Sequence, residues 1–204
     1  MNSQTKTDNR RLDLKIQLRR QVLDLAGLGE LRVLDLCCGE GLVWRRMRQH
    51  VKMKRYLGVD NKPRMPGVLR GDLLDDRFLE ALPFHQFNVV DVDTYGEPWK
   101  PWRFLYEHLA QRTAVFLTHG FASSPGGSEV SSFVRDRLGI PLAWNIPMNR
   151  ELALFAAPYC LLSPSPAGVI AKAWKISQQN VAYYGMICVP KSAAVPRKRK
   201  DTSP

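Results

Sequence analysis

Apolar positions along this chain fall into two rhythms. Leu12, Leu14, Ile16, Leu18, Val22, Leu23, Leu25 and Leu28 mostly keep helical spacing, with Arg10, Arg11, Lys15, Arg19 and Arg20 set between them. This predicts a basic amphipathic helix, closed by Gly27 and Gly29, that either reaches substrate or covers the sheet edge. After it, short apolar runs alternate with helical stretches. Strands are expected at about 32–36, 55–60, 68–72, 87–92 and 114–118, and helices from 42, from 72 to 82, and at 102–111, 130–138 and 150–161. Residues 61–67 carry Pro63 and Pro66 and look too broken for a crossover helix, while 121–128, with Pro125-Gly126-Gly127, reads as loop. Runs at 169–176 and 181–189, joined by Gln178-Gln179-Asn180, form a predicted closing hairpin.

One stretch carries the chemistry. The strand ending at Leu36 runs into Cys37-Cys38-Gly39-Glu40-Gly41 and then into the helical LVWRRMRQH. A strand, glycine loop and helix in that order let backbone approach a ligand closely and aim the helix's first N–H groups at it. A dinucleotide fingerprint would put a third small residue three positions after the second glycine, where Trp44 stands. A P-loop would need Gly-Lys-Ser/Thr, but Leu42-Val43 follow Gly41. The next strand closes on Asp60 about 20 residues on, where a carboxylate that accepts from both ribose hydroxyls is expected.

The pattern Asp35-x-Cys37-x-Gly39-x-Gly41 resembles motif I of the class I S-adenosylmethionine (SAM) methyltransferases. The resemblance implies an α/β fold, a doubly wound seven-stranded mixed sheet with an antiparallel final strand, to which the closing hairpin corresponds. It implies SAM as cofactor, bound by Asp35, Cys37, Gly39, Glu40, Gly41, Asp60 and Asn61, with Asp72 taking the adenine amino group and Leu73 packing near the ring. Read by itself, Asp72 is equally an N-cap for the helix after it.

The fourth strand delivers Asp91-Val92-Asp93-Thr94-Tyr95-Gly96-Glu97-Pro98-Trp99. This resembles motif IV of methyltransferases acting on exocyclic amines, most closely the tRNA guanine N2-methyltransferase family, in Asp91, Asp93, Tyr95, Gly96 and Pro98; Thr94 stands where that family has proline. An exocyclic amine is a poor nucleophile because its lone pair is delocalised into the ring. A carboxylate (Asp93) and a backbone carbonyl (Thr94) accepting its two protons would aim that lone pair at the methyl donor, and Tyr95 would stack on an extruded base. Asp91 either orients the loop or sits near the sulfonium. Trp99 and Trp102 are platform or core, and Asp93 is acceptor or helix cap. His119, Tyr183 and Tyr184 are expected to be structural.

Composition narrows the partner. Net charge is +11 with a pI near 9.8, and Arg45, Arg46, Arg48, Lys52, Lys54, Arg55, Lys62, Arg64 and Arg70 crowd one segment, which suggests nucleic acid, RNA or DNA. Length fits one domain, 11–190, between a polar terminus 1–10 and a disordered basic tail 191–204. No signal or membrane-spanning pattern is seen, so a cytoplasmic protein is expected, with a monomer as working assumption. Cys37, Cys38, Cys160 and Cys188 show no zinc or disulfide pattern, and no metal is expected. A SAM-dependent methyltransferase acting on a nucleic-acid base is the leading reading. The alternatives are a protein or small-molecule methyltransferase and a non-catalytic, SAM-binding protein associated with nucleic acid.

Overall fold

The computed structural model describes residues 11–94, 96–120, 130–141, 143–144, 146, 150–161, 168–178 and 181–190. The polar terminus, Tyr95, the 121–128 loop, the 179–180 turn and the basic tail lie outside the described residues. The chain runs α1 (Leu12–Ala26), β1 (Leu31–Leu36), α2 (Leu42–Met47), β2 (Met53–Asp60), β3 (Leu69–Arg70), α3 (Asp76–Ala81), β4 (Val89–Asp93), α4 (Trp99–Glu107), β5 (Thr113–Gly120), α5 (Ser132–Leu138), α6 (Arg150–Leu161), β6 (Gly168–Gln178) and β7 (Val181–Pro190).

These strands make one seven-stranded sheet in the order β3-β2-β1-β4-β5-β7-β6. The pairs from β3 to β5 are parallel, and β7 runs antiparallel to both β5 and β6. Alternate residues of each strand feed opposite cores, because successive strand side chains point to opposite faces. Val33, Val89 and Phe116 pack with Leu18, Val22, Trp44 and Met47 of α1 and α2. Leu34, Leu36, Val90, Val92, Val115 and Leu117 pack with Leu79, Leu105, Val134 and Ala153 of α3 to α6. Central strands buried on both sides explain why their sequences read as continuous apolar runs. Helix α1 lies close on β7, where a Cβ on Gly185 would come within 2.6 Å of Val22 Cγ2. All four cysteines are free.

Two predicted helix starts are corrected. Helix α3 is capped by Asp75, which accepts from Arg77 N at 3.0 Å, rather than by Asp72. The Asp72 side chain instead accepts from Leu74 N at 2.9 Å, closing a local turn that delays the helix. Helix α4 starts at Trp99 instead of 102. Pro101 is tolerated there because first-turn N–H groups have no intrahelical partner. The segment 61–67 forms no helix, as expected.

Candidate cofactor and acceptor site

The site is built at the carboxyl ends of β1, β2 and β4. The loop after β1 turns through left-handed backbone at Cys37 (φ 61°), Gly39 (φ 53°) and Gly41 (φ 58°). At Gly41 the left-handed backbone favours glycine, and a Cβ would crowd Met65 Cε at 2.8 Å and Tyr56 Oη at 3.1 Å. Cys37 holds the same region with a side chain, a strained arrangement for a non-glycine residue. Cys38 N donates to Val59 O at 3.0 Å, which ties the loop to β2. Asp60 completes the tie, its Oδ2 accepting from Gly39 N at 2.9 Å and its Oδ1 from Lys62 N at 2.8 Å.

These residues fit a nucleoside cofactor. A carboxylate has about four lone-pair positions, and two amide donors leave Asp60 capacity for a diol. Asp72 and Asn61 are exposed nearby in sequence, as is Glu40, whose Oε1 lies 4.0 Å from Arg64 Nη1. Leu73 is 7% exposed and belongs to the core on the α4 side. Burial pushes the Cys37 and Cys38 thiols up to about 12, so both stay protonated and behave as small apolar groups.

Three acids stand on adjacent strands. Asp35 of β1 is in register with Asp91 of β4, and Asp93 ends β4 two residues on. Helix α1 supplies counter-charges to Asp91 and Asp93. Arg19 Nε and Nη2 donate to Asp91 Oδ2 and Oδ1 at 2.8 and 2.7 Å, and Trp44 Nε1 donates to Asp91 Oδ2 at 2.7 Å. Lys15 Nζ sits 2.5 Å from Asp93 Oδ2. Tyr56 Oη donates to Asp35 Oδ2 at 2.7 Å. Burial, then the neighbouring Asp91, pushes the Asp35 carboxyl well above the usual carboxylate range. Burial raises Asp91 as well, opposed by the Arg19 guanidinium.

The turn after β4 is pinned to β5. Thr94 Oγ1 lies 3.2 Å from both Gly96 O and Thr118 O, and Gly120 N donates to Gly96 O at 3.1 Å. A hydroxyl thus restrains the turn at Thr94. Asp93 is not a helix cap, because α4 begins beyond Pro98. Both Asp91 oxygens are engaged by Arg19, and the side chain is almost fully buried. Trp99 and Trp102 are core rather than platform, each 1% exposed, and Tyr183 and Tyr184 are buried in the sheet. His119 lies edge-on to Trp99 at 4.9 Å, and burial lowers its pKa to about 4.

Sequence reading missed Lys15, Arg19, Trp44 and Tyr56. The signal for the two cations was present: the buried positions of α1 are Lys15, Leu18, Arg19, Val22, Leu23 and Ala26, one helical stripe, and both cations stand on it. Leu25, half exposed, lies off it.

Sheet order, the single reversed strand β7 and the glycine loop after β1 together make this the class I methyltransferase fold. Among solved structures, a SAM-dependent methyltransferase from Clostridium acetobutylicum matches with a TM-score of 0.53 at 8% identity, covering 86% of this chain and 91% of that one. The [4+2]-cyclase SpnF matches at 0.52 and 11% identity over 93% and 85%. The CurJ carbon methyltransferase matches at 0.52 and 11% over 85% of this chain and 53% of that one. No protein-family model matches the sequence, and no curated protein matches it. Likeness at such identities shows the fold, and the presence of a cyclase among these structures illustrates that the fold alone does not fix the reaction.

Proposed function

We propose that this protein is a SAM-dependent methyltransferase that methylates an exocyclic amine of a nucleic-acid base, in RNA or DNA. The observation that carries this reading is the placement of Asp93 at the end of β4, beside a glycine loop clamped by Asp60, with the following turn fastened to β5. SAM, when bound, supplies an electrophilic methyl group on a sulfonium. Asp60 would take the ribose hydroxyls, Asp72 the adenine amine, and the loop from Cys37 to Gly41 would carry the amino-acid end beside Asp35. Asp93 and the Thr94 carbonyl would accept the two N–H bonds of the substrate amine, and Tyr95 would stack on the base.

Charge supports a nucleic-acid partner. Lys62, Arg64 and Arg70 are exposed just after β2 and at the end of β3, on the same edge of the sheet as the glycine loop. Lys54 and Arg55 belong to the opposite edge, at the start of β2, so the basic segment seen in the sequence divides between two surfaces.

Transfer from labelled SAM to separate pools of DNA, tRNA, ribosomal RNA and protein, followed by nucleoside analysis, tests the reading. Label on an exocyclic amine is the expected result. Label on protein alone, or SAM binding without transfer to any pool, would replace it with a protein methyltransferase or a SAM-binding protein that does not transfer.

A further inference from the structure

Lys15 is an unusual lysine. It is 6% exposed, its ammonium lies 2.5 Å from Asp93 Oδ2, and it sits 5.6 Å from the centroid of the Tyr183 ring. Its helix cannot drift easily. One turn on, Arg19 clasps Asp91 and also donates from Nη1 to the Lys15 carbonyl at 2.9 Å, while Val22 lies against Gly185 of β7. The charges at the carboxyl ends of β1 and β4 therefore pair off: Arg19 with Asp91 and Lys15 with Asp93. Asp35, bonded to Tyr56 and pushed toward its protonated form, is the remaining acid of these two strand ends. Asp91 and Asp93 thus each already hold a cation of α1. Only Lys15 is placed on Asp93 there, so Oδ1 can still accept an N–H.

We propose that Lys15 is a specificity-determining residue: by neutralising Asp93 it makes the acceptor seat fit for a neutral amine, as on a nucleobase, and unfavourable for an ammonium such as a lysine side chain. A neutral exocyclic amine needs only an acceptor lone pair. An ammonium gives up its hydration and needs net negative charge in return. This inference rests on SAM as cofactor and on Asp93 as the amine acceptor.

SAM itself is the probe, since it differs from S-adenosylhomocysteine (SAH) by one methyl group and one positive charge. The ratio of the two affinities, measured by calorimetry, reports the charge of the site and cancels structural effects common to both ligands. Lys15→Met should raise the preference for SAM over SAH about tenfold, the scale expected for one unpaired charge a few ångströms away in partly buried surroundings. Asp93→Asn, which leaves Lys15 unpaired, should lower it by a similar factor. Lys15→Arg and the double variant Lys15→Met/Asp93→Asn should stay within about twofold of wild type, because net charge is restored. A ratio that is the same in all four variants would overturn the inference, as would wild-type transfer of labelled methyl to polylysine, which leaves the methyltransferase reading standing. Failure of the folded wild type to bind either ligand would instead remove the cofactor reading, and this inference with it. The Asp93→Asn arm keeps the test open should Lys15→Met not fold.

Discussion

Two carboxylates divide the work of the site at the scale of single residues. Asp60 spends part of its capacity on Gly39 and Lys62 amides, so Asp60→Ala removes both a ribose acceptor and the clamp on the glycine loop. SAM affinity should fall about ten- to a hundredfold, on the scale of one or two hydrogen bonds to a charged group, and unchanged affinity by calorimetry would dismiss the ribose assignment. Asp93→Asn should lower methyl transfer by about a hundredfold or more, well beyond its effect on SAM affinity. Equal losses in both would deny Asp93 an acceptor role in the transition state. His119 gives a pH dependence. Its folded pKa of about 4 lies below the ordinary value of 6.5, so the unfolded chain binds a proton that the folded one resists. Stability contributed by neutral His119 is full above pH 6.5 and declines as pH falls toward 4, by about 3 kcal/mol in all. His119→Phe, which keeps a ring against Trp99, should remove that component from denaturation curves measured across this range. His119 and the tryptophan beneath it were legible as a histidine after a strand and bulky residues at a helix start, but their burial depended on the sheet and α4 closing over them.

Helix α1 is the element whose role the sequence left open. Its apolar spacing was visible, and so was its end at Gly27, which adopts left-handed backbone at φ 59°. That it covers β5 and β7 and also delivers two cations to the site follows from which face turns inward. Arg19→Met should destabilise the protein by about 3–5 kcal/mol, because Asp91 would remain buried without its guanidinium. In denaturant melts, Arg19→Met/Asp91→Leu should recover most of that loss, since an apolar pair leaves no stranded charge. A double variant no better than the single one would show that Arg19 contributes packing rather than charge pairing. The first turn of α3 shows the same limit of local reading: two aspartates close together both have capping chemistry, and only backbone geometry chose Asp75 over Asp72.

For the whole molecule, the positive balance has a direction. Lys62, Arg64 and Arg70 share the edge of the sheet that carries the glycine loop, and a nucleic-acid strand reaching Asp93 would meet phosphate-binding groups there. Replacing all three by alanine should reduce the slope of log affinity against log salt by about 3, one unit for each phosphate no longer neutralised. An unchanged slope would assign phosphate binding to another surface. Arg64 faces Glu40 at 4.0 Å, an exposed pair of small energetic value that a phosphate could displace.

Sequence alone determined what local patterns can encode: the strand, glycine loop and helix around Gly39 and Gly41, the acids closing the strands at Asp60 and Asp93, the closing hairpin, and a helical break at 61–67. Each depends on hydrophobic period or on backbone freedom within a few residues. Tertiary structure decided what depends on residues distant in the chain. Lys15 and Arg19 lie more than 70 positions from Asp93 and Asp91, and they meet because β1 and β4 are neighbours in the sheet while α1 packs across the face they share with β5. Cations on a buried helical stripe were a visible anomaly in the sequence. Which acids they would neutralise was fixed only when the sheet order brought the strand ends together.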